Sequence, residues 1–382
     1  MSTETALLHA ITANRSDNTA RLAFADWLDE NGEPDRAAYL RLQVELVREW
    51  WYDKPCTEIY ARMAELASRI DSAWLATVRR CTTPAPPVNV EEALPDLRGK
   101  AKTAVRLHPR PGEAPVDASK IGGMFLWPKN EPWPVCPTHG NIPYVTALQL
   151  RKEDVPELGF PIGTDLFQLL WCPQGHDEDE MYCPKPAVYW RKHTSVKRPL
   201  AAAPEPADIE YEYFPRPCVL YPERVTEYPD PFEFYPAGIG YDIEGNESPN
   251  LCAALAVAQS QPAVRELRPP AGADDLYQCW LSTVEGTKVG GYPDWVQDSH
   301  YPNCGCGAKM EHLLSFGSWE WGGNNWGRWV AVEDRPILSA AFREQESVHR
   351  AHGCTFGDAG RMYVFVCRNH REPHIRAFMQ CS

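Results

Sequence analysis

Part of this chain is written twice, and that restricts its folding more than any other feature. Lys120-Ile121-Gly122-Gly123 recurs as Lys288-Val289-Gly290-Gly291, 168 residues later. The same step carries Trp127 to Trp295 and Cys136 to Cys304. After each cysteine comes a short apolar segment, and later an apolar run that ends in another cysteine. These runs are Leu166-Phe167-Gln168-Leu169-Leu170-Trp171-Cys172 and Met362-Tyr363-Val364-Phe365-Val366-Cys367. A four-residue motif, a tryptophan and a cysteine in one register indicate an internal duplication, with halves at about 101–205 and 280–382.

The repeated cysteines come with ligand spacing. The first half offers Cys136-x2-His139 and Cys172-x3-His176; the second offers Cys304-x-Cys306 and Cys367-x2-His370. Thiolates and imidazoles from two separate turns can close a tetrahedron around zinc, and Gly140, Gly305 and Gly307 suit such turns. Each set supplies four ligands, two or more of them sulfur. That is the composition of a closed structural zinc site, whereas a catalytic site keeps a position open. Cys183 is an alternative to His176, and His312 or His374 to His370. His349-x2-His352-x-Cys354 also has ligand-like spacing but reads as a partly exposed helix end.

The rest of the composition agrees with a reduced, strand-rich protein. Thirteen cysteines is an odd count, and Met1-Ser2-Thr3-Glu4-Thr5 has neither the basic nor the apolar region of an export signal, so a cytoplasmic location is expected. No stretch is apolar enough to span a membrane. A net charge of −14 argues against general nucleic-acid binding, and the basic run Arg191 to Arg198 reads as a solvated loop. From about 101 onward, short apolar runs predict strands at Tyr144–Leu150, Leu166–Cys172, Ala187–Trp190, Met362–Cys367 and Ile375–Cys381.

The first 81 residues read differently, as a small all-α helical module. Apolar stripes predict helices around Ala6–Ile11, from a cap at Asn18-Thr19 to Asn31-Gly32, from Pro34 and over Thr57–Ile70. Residues 82–100, with Pro84, Pro86, Pro87 and Pro95, read as a linker. The expected class is therefore α+β: a helical module, then an internally duplicated zinc-binding domain over 101–382.

Two resemblances follow from these residues. Arg21-Leu22-Ala23-Phe24-Ala25-Asp26-Trp27-Leu28-Asp29-Glu30-Asn31-Gly32 with Pro34, Arg36, Ala37 and Arg41 resembles the repeat-companion domain of planctomycete bacteria. That implies an accessory module without catalytic residues. Ser119 to Gly123, Trp133-Pro134-Val135-Cys136, Tyr221 to Tyr228, Lys288 to Pro293 and Gly357-Asp358-Ala359-Gly360 resemble the YwqG-like family. The likeness implies a compact strand-rich α+β fold with no accepted enzymatic activity. Some of its members lie beside toxin genes. Family members carry paired cysteines at both knuckles, where this chain has His139 and His370 and only one residue between Cys304 and Cys306.

The leading expectation is a non-catalytic, zinc-stabilised binding or adaptor protein with a protein partner. An immunity protein, acidic against a basic toxin, is a second reading. A third is an enzyme with a cleft at Asp358 and Arg361, although Asp358 between two glycines also reads as turn chemistry. Four tryptophans in Trp319–Trp329 suit either a binding loop or core packing.

Overall fold

In a computed structural model, residues 2–50, 56–177, 182–233, 249–260, 276–323 and 325–381 are described. The chain divides into two compact units, one formed by Met1–Arg98, Gly240–Leu281 and Gly323–Phe342, the other by the remainder.

The first unit opens with five helices: α1 Thr3–Ala13, α2 Asn18–Glu30, α3 Pro34–Glu49, α4 Thr57–Ala67 and α5 Ser72–Val78. Asp17 rather than Asn18 caps α2, its carboxylate accepting from the N–H groups of Thr19 and Ala20. Ile11, Phe24, Leu28, Leu40, Trp74 and Val78 form the core. The charged residues of the Arg21–Arg41 motif tie the helices together. Arg21 is fully buried and donates to Gln43 Oε1 and the Val78 carbonyl, while Arg41 reaches Asp26 and Asp29.

Residues 82–98 are folded against this unit. They carry helix α6 Val90–Ala93 and a 3-10 turn at Pro95–Leu97, and Val90, Ala93, Leu94 and Leu97 are buried. Thr82 donates through its backbone N–H and hydroxyl to Glu333, a residue of the same unit. The prolines here shape a packed segment, where the sequence suggested a linker.

Among its described residues the second unit holds fourteen strands. In the first half these are β1 Lys102–Arg106, β2 Arg110–Pro111, β3 Lys120–Ile121, β4 Val135–Cys136, β5 Ile142–Pro143, β6 Val145–Arg151, β7 Leu166–His176 and β8 Cys183–Arg191. The second half has β9 Cys218–Val219, β10 Glu223–Glu227, β11 Lys288–Gly290, β12 Glu311–Gly317, β13 Arg361–Cys367 and β14 His374–Gln380. One six-stranded sheet runs β2-β9-β3-β6-β7-β8 and the other β10-β1-β11-β12-β13-β14. Apolar residues of both sheets, among them Leu148, Leu169, Trp171, Leu314, Phe316 and Val364, share one core.

The duplication is visible in these strand orders. Matching β1 to β9, β2 to β10, β3 to β11, β6 to β12, β7 to β13 and β8 to β14 turns one sheet into the other. Even an irregularity repeats: β6 bulges between Thr146 and Leu148 against β7, and β12 bulges between His312 and Leu314 against β13. The glycine pairs of the repeated motif have left-handed φ in both copies, +60° and +65° at Gly122 and Gly123, +69° and +65° at Gly290 and Gly291. A Cβ on Gly291 would lie 2.2 Å from Glu227 Oε2, so glycine is required there by space as well as by φ.

The matching also shows an exchange. Strand β1, from the first half, lies between β10 and β11 of the second, while β9 lies between β2 and β3 of the first. The loops that follow share a leucine and a proline: Leu107 and Pro109 after β1, Leu220 and Pro222 after β9.

Candidate metal centres

In each half, a tight knuckle carries the first ligand pair and the end of a central strand carries the second. Strands β4 and β5 pair Cys136 with Ile142, and the turn between them closes with Asn141 N–H donating to the Cys136 carbonyl. Gly140 and Asn141 both take left-handed φ, which brings His139 back toward Cys136. In the second half Asn303 bridges Lys309, Cys304 N–H donates to the Ala308 carbonyl, and Gly307, at φ +87°, turns the chain. The other pairs come from the ends of β7 and β13, where Cys172 and Cys367 terminate the repeated apolar runs.

The structure brings together the eight residues selected from the sequence. The donor atoms of Cys136, His139, Cys172 and His176 lie within 4.8 Å of one another, and so do those of Cys304, Cys306, Cys367 and His370. In the first cluster Cys136 Sγ is 3.7 Å from His139 Nδ1 and 3.5 Å from His176 Nε2, and His139 Nδ1 is 3.4 Å from Cys172 Sγ. In the second, Cys304 Sγ is 3.2 Å from His370 Nε2 and Cys306 Sγ is 3.7 Å from Cys367 Sγ. Zinc–sulfur bonds of about 2.3 Å and zinc–nitrogen bonds of about 2.0 Å at tetrahedral angles require S···S edges of about 3.8 Å and S···N edges of about 3.5 Å. The donor separations match those edges, so both clusters could hold a metal ion.

Backbone amides support the sulfurs. The N–H of Gln174 points to Cys172 and that of Asn369 to Cys367, two residues on in both cases, and the N–H of Ala308 serves Cys306 in the same way. Burial pushes the Cys172 thiol up to about 12, against the pull of Gln174. For Cys306, the Ala308 amide and then the neighbouring Cys304, Cys367 and His370 bring the thiol down to about 6. Metal coordination at Cys172 would therefore displace a proton.

The surroundings correspond as well. Trp127, Trp133, Tyr144, Leu170 and Tyr189 pack around Cys136 and Cys172; Trp295, Tyr301, Met310, Phe365 and Phe378 pack around Cys304 and Cys367. Exposure differs. Each cluster has one half-buried histidine, His139 or His370, and buried cysteines at Cys136, Cys172, Cys304 and Cys367; the difference is that His176 is buried whereas Cys306 is exposed.

The remaining candidates lie elsewhere. Cys183 is buried in the shared core and stands opposite His176 in the strand register. His312 sits at the β12 bulge, Nδ1 3.1 Å from the Gly290 carbonyl and Nε2 2.8 Å from Ser315 Oγ. His374 does approach the second cluster, with Nδ1 3.5 Å from Cys304 Sγ. His352 and Cys354 are fully buried rather than partly exposed. His349 Nε2 lies 2.7 Å from the Trp321 carbonyl. Arg361 pairs with Asp294 and Glu285, while Asp358 is exposed. Trp321 and Trp329 are buried, which makes the tryptophan run core packing at those two positions; Asn324 of that run is outside the described residues. Arg191 of the basic run binds Glu131 through both guanidinium nitrogens.

One buried feature went unread in the sequence. Lys288 Nζ lies 2.8 and 2.9 Å from the two oxygens of Glu227, and both residues are fully enclosed. Glu227 also accepts from Thr283 Oγ1 and from the N–H of Tyr292. The available signal was a lysine opening an apolar motif in both copies. Its counterpart Lys120 donates instead to the carbonyls of Ala114 and Pro115.

Among the described residues, no helix is long and apolar enough to cross a membrane. The profile of a protein family described as "Domain of unknown function (DUF1963)" matches residues 119–371. No curated protein matches the chain.

Proposed function

Since the chain belongs to the DUF1963 family, whose description assigns no activity, we propose from its own residues that it is a zinc-stabilised, non-catalytic binding protein. The observation that carries the zinc reading is the set of donor separations at tetrahedral edge lengths in both halves. Four protein donors in each cluster leave no position for a substrate, and sulfur predominates in the second. Sites of this composition stabilise a fold, and each joins a knuckle to the end of a strand far away in sequence.

The N-terminal helices resemble the repeat-companion domain, and their charged motif residues are engaged in holding helices together. The adaptor role proposed for this unit rests on that resemblance alone. The binding partner is proposed to be a protein, and the net charge of −14 suits one with a basic surface. The alternative of an enzyme with a cleft at Asp358 and Arg361 finds no support, because Arg361 is occupied by Asp294 and Glu285.

Elemental analysis of purified protein tests the zinc reading and is expected to give about two zinc ions per chain. A folded, soluble protein that contains no zinc as purified and takes up none would end it. A pull-down from native lysate tests the partner: a stoichiometric protein is expected, and capture of none, with a substrate turned over instead, would replace the binding reading with an enzymatic one.

A further inference from the structure

The two clusters are built alike but enclosed differently, and the second has a spare donor. His374 is exposed, opens strand β14 and stands directly across the ladder from the ligand residue Cys367. Its Nδ1 comes within 3.5 Å of Cys304 Sγ, about the S···N edge of a zinc tetrahedron. Its ring is stacked on that of His370 at 3.6 Å between centroids and 10° between planes. Two imidazoles thus lie in parallel beside the Cys304 thiol. Among the described residues of the first half, the imidazoles beside the cysteine sulfurs are those of His139 and His176. The register of β7 and β8 is irregular between Trp171 and Gly175, where Lys185 is the one β8 residue between Pro186 and Pro184, and an ammonium group has no lone pair to offer.

A cavity of about 620 Å³ opens on the same side of the second cluster. Cys304 and His374 both line it, with Asn303, Met310, Arg376 and Val188 around them. Cys306, from the same knuckle, is exposed as well. In the first cluster Cys136 and Cys172 have no exposed surface and His176 almost none. Its one half-buried donor is His139, on the knuckle.

On the reading of both clusters as zinc sites, we propose that the second is an exchange site at which His374 acts as an entering ligand. Cys304, Cys306 and Cys367 would hold the ion, and His374 Nδ1 would take the place of His370 as its nitrogen donor. Turned toward the cavity, the ion is then taken by an external multidentate chelator, whose donors replace the thiolates one by one. No oxidation state changes, and the vacated thiolates take protons from water. The first site keeps its ion for as long as the fold persists. One ion is thus structural and the other is available to a metal acceptor.

Release kinetics test this on the full-length, zinc-loaded chain. Excess EDTA is the probe, zinc retained by the protein is measured over time, and circular dichroism monitors the fold. Two phases of about one ion each are expected, separated by at least about tenfold in rate, with no unfolding during the fast one. Cys306→Ser should remove the fast phase only. His374→Ala, at an exposed position, should leave two ions per chain but slow the fast phase about tenfold. His370→Ala should retain its second ion, because His374 takes the vacant position. A single release phase, a fast phase indifferent to His374→Ala, or loss of an ion in His370→Ala would each overturn the proposal. The zinc reading fails separately: it ends with a protein that holds no zinc, whereas two ions leaving in one phase end only the exchange.

Discussion

The first half of the strand-rich unit encloses its cysteine cluster, and the second leaves one edge of its cluster in solvent. The path of the chain is the same in both, down to the bulge in the strand after the knuckle. What differs is the side chain at matched places. His312 replaces Thr146 at the bulge, Tyr363 replaces Gln168 on the central strand, and Lys288 has a carboxylate where Lys120 has two carbonyls. One backbone scaffold therefore tolerates either a sealed or an accessible site, and accessibility is set by a few residues at the knuckle and at the start of the last strand. Duplication lets one copy hold the fold while the other is free to diverge.

The sharpest way to break this comparison is to remove a sulfur from each cluster. Cys172→Ser should abolish soluble, folded protein, because the enclosed site contributes folding free energy on the order of 10 kcal/mol. Cys306→Ser should remain folded with one ion fewer, as judged by elemental analysis and circular dichroism. Equal damage from both would make the two sites equivalent.

The lysines give the next largest contrast. Lys288→Met strands the carboxylate of Glu227 in the interior and should cost about 3–5 kcal/mol in a denaturant titration. Lys120→Met gives up two bonds to carbonyls and should cost about 1–3 kcal/mol. The reverse order would show that the buried ion pair is dispensable.

Acid provides a smaller difference. Burial, with Lys288 nearby, holds the His312 imidazole down at about 3, well under its ordinary 6.5. Below pH 6.5 the unfolded chain takes a proton that the folded chain refuses until about pH 3, so this histidine's stabilising effect, complete above 6.5, drains away as pH falls through that window. His312→Thr installs the residue of the first half. It should narrow the stability lost between about pH 7 and about pH 5 by roughly 1 kcal/mol, read from unfolding midpoints at the two pH values. An unchanged loss would place the acid sensitivity in other groups.

The smallest effect is expected at Cys183, which lies beside His176 in register but outside the cluster. Cys183→Ala should leave the metal content at about two ions per chain and lower stability only by the lost packing, about 1 kcal/mol. Loss of an ion would bring Cys183 into the ligand set in place of His176.

Much of this arrangement could be read from the chain because it depends on local chemistry. Strands at Tyr144–Leu150 and Met362–Cys367 were marked by their apolar runs, and the folded ones, Val145–Arg151 and Arg361–Cys367, differ by a residue at their ends. The eight cysteine and histidine donors were marked by spacing and repetition. What stayed hidden was set by contacts distant in sequence. Strand β9 has only Cys218 and Val219, too short for alternation to register, and its place beside β3 is a tertiary fact. Arg361 was matched with nearby Asp358, yet its partners Glu285 and Asp294 lie some seventy residues earlier in the chain. Proline content suggested a tether at 82–100 because composition does not reveal that Val90, Leu94 and Leu97 are buried.

The exchanged strands have a consequence for how the protein can be divided. A cut in the segment between β8 and β9 would give an amino-terminal piece lacking the strand between β2 and β3, and a carboxy-terminal piece lacking the strand between β10 and β11. Each would expose an unfilled slot lined with unpaired backbone amides and carbonyls, a template for aggregation. Two copies of a single half could fill each other's slots, as in a two-fold dimer whose subunits trade an arm. The strand order of the present chain is the one such a dimer would have if its subunits were joined end to end. Neither half is a domain in the sense of a piece that finishes folding alone, and a nascent chain must wait for Cys218 and Val219 to emerge from the ribosome before its first sheet can close.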